Sequence, residues 1–171
     1  QDSIACVIHA ISEAFPDIDI IVVNDGSTDN TRTIAEATQK AIVIDLPANL
    51  GVGGAVQTGF KYAKRKNYNI VIKLDGDGQH DPKGIQDLIK PLTEDKADIV
   101  IGSRFIRHNE GFQSTFWRRN GIRFFEMVCR LLTGIKITDA TSGLRAYNRK
   151  AIEFMARNYP SFDYPEPEEI I

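Results

Sequence analysis

Ile70-Val71-Ile72-Lys73-Leu74 runs directly into Asp75-Gly76-Asp77-Gly78-Gln79-His80-Asp81. A short aliphatic run that stops at Asp and Gly reads as a strand buried on both faces, and such strands belong to parallel sheets covered by helices. Three further stretches share this design: residues 18–23 end at Asp25-Gly26-Ser27, residues 41–44 at a glycine-rich loop over 47–54, and residues 98–101 at Gly102-Ser103-Arg104. Helical stripes separate them. Ile4, Val7, Ile8, Ile11 and Phe15 share one face behind a cap at Asp2 or Ser3. Thr28 or Asp29 caps a second helix reaching about Lys40, a third helix ends near Lys66, and a fourth covers 82–90. The alternation predicts an α/β fold, a mostly parallel sheet with helices on both faces. Right-handed crossovers then bring the four polar loops to one edge, outside the carboxyl ends of the strands, where ligand chemistry belongs.

After Arg104 the pattern gives way to a basic, aromatic stretch with a helix through Phe124, Phe125, Val128, Leu131 and Leu132. A short strand within 138–147 and a helix over 149–157 follow, and the tail is punctuated by prolines in Tyr164-Pro165-Glu166-Pro167-Glu168. The 171 residues make one domain. Sheets of this type open on a strand, whereas this chain opens on a helix and closes on the apolar pair Ile170-Ile171. The expectation is therefore one strand ahead of Gln1 and more chain beyond Ile171, so that 1–171 is a single domain incomplete at both ends.

Lys and Arg number 21 against 23 Asp and Glu, a net charge of −2, so the chain lacks the basic footprint that a phosphate backbone requires and nucleic acid is not expected as a partner. Cys6 and Cys129 form neither a metal-knuckle spacing nor a disulfide framework; they read as small buried hydrophobes in a reducing compartment. No apolar run nears the roughly 20 residues that span a bilayer, and no signal pattern opens the chain. The expected location is the cytoplasm or the inner face of a membrane.

The sharpest motif is the Asp75-Gly76-Asp77 turn. Two carboxylates one residue apart, at the end of a buried strand, can present hard oxygen ligands to Mg²⁺ or Mn²⁺. A solvated acidic turn has the same composition, and its position at the ligand edge is what favours the metal. Asp25 lies at that edge too, and its carboxylate can accept N–H groups from a nucleotide base. Ser27 and Thr28 read equally well as ligand contacts or as caps of the next helix. Asn49-Leu50-Gly51-Val52-Gly53-Gly54 looks like a phosphate-cradling loop, but Val56 stands where a dinucleotide fingerprint wants glycine and no Gly-Lys-Ser/Thr closes it. Arg104, Arg107, Arg118, Arg119, Arg123 and Arg145 crowd the later region; arginines fork onto phosphates, although Arg107 and Arg123 read better as solvated helix residues. His9, His80 and His108 have no Ser or Cys partner signature, which leaves no nucleophilic triad.

In order along the chain, Asp25-Gly26-Ser27-Thr28-Asp29, Asn49-Leu50-Gly51 with Ala55 and Gly59, Asp75 to Pro82, Gly102-Ser103-Arg104-Phe105 and Thr141-Ser142-Gly143-Leu144-Arg145-Ala146-Tyr147 resemble the family 2 glycosyltransferases of the GT-A fold, most closely the dolichyl-phosphate mannose synthase group. The resemblance implies that Asp25 contacts the base of a nucleotide-diphosphate sugar, with Ser27 and Gly51 near the nucleotide. It implies that Asp75, Asp77 and Gln79 hold the metal and diphosphate, and that Arg104 approaches a phosphate. The family's opening strand and its Pro-x-Tyr-Asn-Glu loop do not occur in this sequence, and the Tyr164 to Glu168 run departs from the synthase pattern.

The reaction so implied is inverting sugar transfer by a metal-dependent hexosyltransferase, with Asp77 and Arg104 in catalytic roles. A polyprenyl phosphate acceptor at a membrane surface, met by Arg118, Arg119 and Arg145, needs no general base because its oxygen is already anionic. A hydroxyl acceptor, as in polysaccharide or glycolipid synthesis, needs a carboxylate to take its proton, and Glu166, Glu168 and Glu169 are the candidates, Glu168 foremost. A non-catalytic nucleotide-sugar-binding module and a sugar-phosphate nucleotidyltransferase stay open as other classes.

Overall fold

The computed structural model describes residues 3–78, 82–102 and 142–159. In chain order the elements are α1 (Ile4–Ala14), β1 (Ile20–Asn24), α2 (Thr31–Ala37), β2 (Ala41–Asp45), α3 (Gly51–Arg65), β3 (Ile70–Lys73), a 3₁₀ turn (Pro82–Gly84), α4 (Ile85–Thr93), β4 (Ile99–Ile101), β5 (Arg145–Asn148) and α5 (Arg149–Met155). The predicted alternation is present, and α3 starts earlier than expected: Gly51, Gly53 and Gly54 form its first turn, not a loop before it. The expected helix through Phe124 to Leu132 lies outside the described residues.

β1 and β2 pair in parallel, Val22 opposite Val43. β3 and β4 run in one direction but do not pair with each other; β5 lies between them, antiparallel to both. The sequence places a strand here but gives no sign that it occupies the centre. Its register builds the core on two faces. Val71, Tyr147 and Ile99 align across β3, β5 and β4 under α3 and α5, where Phe60, Ala63, Ile152 and Met155 cover them. One residue along, Ile72, Ala146 and Val100 align on the opposite face against Leu88 and Leu92 of α4. The helices supply stripes at i, i+3 and i+7 spacing, as in Ile85, Leu88 and Leu92. Tyr147 has no exposed surface and meets Phe60 edge-on at 4.8 Å between centroids.

α1 buries Ile8 and Ile11 as its stripe predicts. Cys6 is exposed, contrary to expectation, because it falls off that stripe; Cys129 lies outside the described residues. Between β1 and β3 lies a cleft of about 760 Å³, walled by Ile4, Val7, Phe60 and the two strands. Among the described residues β1 pairs only with β2 and β3 only with β5.

Candidate active site

Two polar loops open onto the end of this cleft, where Asn24, Asp25, Ser27 and Gly76 line it. The first follows β1. Asp25 Oδ1 accepts the backbone N–H of Leu50 at 2.6 Å, which ties the β1–α2 loop to the start of α3. Gly26 reinforces the junction: its φ is +67°, and a Cβ there would come within 2.9 Å of the Asn49 nitrogen. Both the left-handed backbone and the close approach call for glycine. Asp25 is half-buried, and its Oδ2 has no hydrogen bond among the described residues. One oxygen thus shapes the loop, and the other has no part in it.

Ser27 is exposed beside it and caps nothing; Asp29 accepts the Thr31 N–H instead, and hydrogen bonds from Thr31 hold the Asp29 carboxyl down to about 2. Asn24, which the sequence reading passed over, donates through Nδ2 to Asp45 Oδ1 at 2.7 Å, across the β1–β2 pair. Asp45 is gripped from the other side by Arg32 at 2.6 Å. The Asn24 side-chain oxygen, Oδ1, is buried with no partner among the described residues. The one legible signal for this residue was a polar side chain closing an apolar strand.

The second loop follows β3. Asp75 is half-buried and Asp77 exposed. The turn is pinned from α1: Ser3, expected as a helix cap, instead donates its hydroxyl to the Gly76 carbonyl at 2.7 Å. On its other side the Asp75 carboxylate rests against Gly143, which precedes β5. Two carboxylates beside the cleft suit Mg²⁺ or Mn²⁺, hard ions that keep several waters and take the remaining oxygens from substrate phosphates. Among the described residues no group of three His, Cys, Asp or Glu side chains converges, so the donor set there consists of the acidic turn alone. Gln79, Arg104, Arg118, Arg119 and Glu168 lie outside the described residues.

Arg145 is where the structure departs from the expected site. As the first residue of β5 it has no exposed surface, and its Nε donates to the Ser142 carbonyl at 3.0 Å. Position 145 alternates with Tyr147 on the covered face of the central strand, which turns the guanidinium inward. The expected acceptor contact is thus a buried arginine braced against the Ser142 carbonyl.

This architecture, with ligand loops at one edge of a helix-covered sheet, is the GT-A glycosyltransferase fold. Glucosyl-3-phosphoglycerate synthase of Mycobacterium tuberculosis, solved with Mn²⁺ and UDP-glucose, superposes with a TM-score of 0.62 at 24% identity, over 86% of this chain and 52% of that one. The profile of glycosyl transferase family 2 matches residues 1–155, and the chain belongs to that family. An uncharacterized protein of Methanocaldococcus jannaschii is 36% identical, over 89% of this chain and 62% of the relative. The UDP-N-acetylglucosamine–dolichyl-phosphate N-acetylglucosaminyltransferase of Methanococcus voltae is 32% identical, over 89% and 67%. The polyprenol monophosphomannose synthase of Mycolicibacterium smegmatis is 29% identical, over 90% and 59%. The chain thus spans roughly three-fifths to two-thirds of the length of these relatives.

Proposed function

We propose that this glycosyltransferase moves a sugar, with inversion, from a nucleotide-diphosphate donor to a polyprenyl phosphate. The observation that carries the reading is the meeting of the Asp25 loop and the Asp75-Gly76-Asp77 turn at the mouth of one cleft. Asp25 Oδ2 accepts the base N–H groups. Asp75 and Asp77 hold the divalent ion, which when bound supplies Lewis-acid stabilisation to the departing nucleoside diphosphate. The names of the Methanococcus and Mycolicibacterium relatives support the acceptor. An anionic phosphate oxygen attacks without a general base, in keeping with the lack of a triad.

Arg104 belongs at the donor or acceptor phosphate, and Arg118 and Arg119 at the lipid phosphate beside the aromatic stretch of residues 112–125. No helix among the described residues is long and apolar enough to cross a membrane. A polyprenyl phosphate acceptor places the reaction at a membrane surface, in this reading the cytoplasmic one.

The test is a transfer assay on the full-length protein with polyprenyl phosphate, comparing wild type with Arg118→Ala/Arg119→Ala and Glu168→Gln. Lost transfer in the arginine variant with the glutamate variant active is the expected result. The reverse pattern, with donor binding intact, would replace the lipid phosphate by a hydroxyl acceptor.

A further inference from the structure

The ladder between β3 and β5 ends at Lys73 opposite Arg145. Carried two residues further, the same register sets Asp75 opposite Gly143, so a carboxylate placed in the site faces a residue without a side chain. A Cβ built on Gly143 would lie 2.5 Å from Asp75 Cγ and 2.9 Å from Oδ1, and would overlap Oδ2. Directly opposed residues of an antiparallel pair normally share that space between two side chains. Here the carboxylate takes all of it.

The backbone gives no other reason for glycine, because Gly143 is not among the residues with positive φ. Nor can the wall move aside easily. Ser142 donates its hydroxyl to the Gly102 carbonyl at 2.5 Å, the Gly102 N–H donates to the Leu144 carbonyl at 2.8 Å, and Arg145 holds the Ser142 carbonyl from inside. Between a fixed wall and a mobile side chain, a methyl group at 143 displaces the side chain.

We propose that Gly143 is a positioning residue for the site: by leaving its side of the cross-strand pair empty, it fixes where the Asp75 carboxylate stands. This rests on the reading of Asp75 as a metal-holding carboxylate, while the steric coupling itself can be measured without metal. Ser142, Gly143 and Arg145 then act as one unit, a braced backbone with a gap.

The experiment is a double-mutant cycle on the full-length protein, with Gly143→Ala in the wild-type and Asp75→Ala backgrounds. Thermal unfolding is followed without metal, and Mn²⁺-dependent binding is titrated with UDP or GDP, whichever wild type prefers. Gly143→Ala should lower Tm by about 3 °C or more where Asp75 is present and leave it unchanged where Asp75 is Ala. It should weaken Mn²⁺-dependent nucleotide binding about tenfold or more with Asp75 still in place, the scale on which loss of a residue supporting a metal ligand is felt. If Gly143→Ala alone does not fold, recovery of folding in the double variant supports the proposal and failure of both overturns it. Equal loss of Tm in the two backgrounds, or unchanged nucleotide affinity, also overturns it. Wild type that binds neither nucleotide with Mn²⁺ would instead defeat the proposed function, and the metal-free cycle would still decide the steric claim.

Discussion

The β1–β2 pair and the β3–β5–β4 sheet make an instructive contrast. Ile20–Asn24 and Ala41–Asp45 are far more hydrophobic by sequence than the central strand β5, yet only one of their ten residues is buried, and Ile42 is 41% exposed. Arg145–Asn148 reads Arg-Ala-Tyr-Asn, and its first three residues are buried. A strand neighbour on each edge and helices on both faces seal β5 whatever its composition. Burial here follows position in the sheet more than hydropathy, so the two regions should respond differently to the same kind of change.

The largest expected difference is in stability. Tyr147→Ala removes a ring enclosed between Phe60 and the central strands and should cost about 3–5 kcal/mol. Ile42→Ala, on the outer surface of β2, should stay under about 1 kcal/mol. Chemical denaturation of both variants measures the gap, and similar losses would erase the contrast.

Function should run the other way, with the loosely packed half reading the nucleotide. Asp25→Ala should weaken nucleoside diphosphates by about 1.5–3 kcal/mol, as for a charge-assisted hydrogen bond, with metal binding at Asp75 and Asp77 retained. Calorimetry with and without Mn²⁺ separates the two effects. Gly26→Ala should cost about 1–2 kcal/mol of stability, since it adds left-handed strain and pushes on Asn49, and it should weaken nucleotide binding in step as the Asp25–Leu50 clasp opens.

The smallest effect is a pH response on the rim. Tyr68 donates its hydroxyl to Asp19 at 2.5 Å, and that bond, then partial desolvation, push the phenol up to about 12. With the folded value above the unfolded one, about 10, the contribution is complete below pH 10 and is lost as pH rises toward 12. Phenolate absorbance should show a late-titrating component in the wild type that shrinks by one tyrosine in Tyr68→Phe.

Local sequence was enough for the order of helices and strands, because each strand carries its Val/Ile run and each helix its apolar stripe within a few residues. It was also enough to place Asp25 and Asp75 in the turns that follow β1 and β3, since both end such runs. It misread side chains whose partners are far along the chain. Ser3 stood as a cap until Gly76, 73 residues on, came within reach of its hydroxyl. Arg145 stood among phosphate-binding arginines, although alternation on a central strand turns it inward.

The sequence by itself determined an α/β chain with carboxylates at strand ends and a family resemblance that the profile match bears out. Only the tertiary structure decided that β5 enters between β3 and β4, and with it the register that sets Gly143 against Asp75. The physical reason is range. Helical and strand periods are written in neighbouring residues, whereas register between segments some 70 positions apart is chosen by how whole faces pack, and no stretch of either segment encodes it alone.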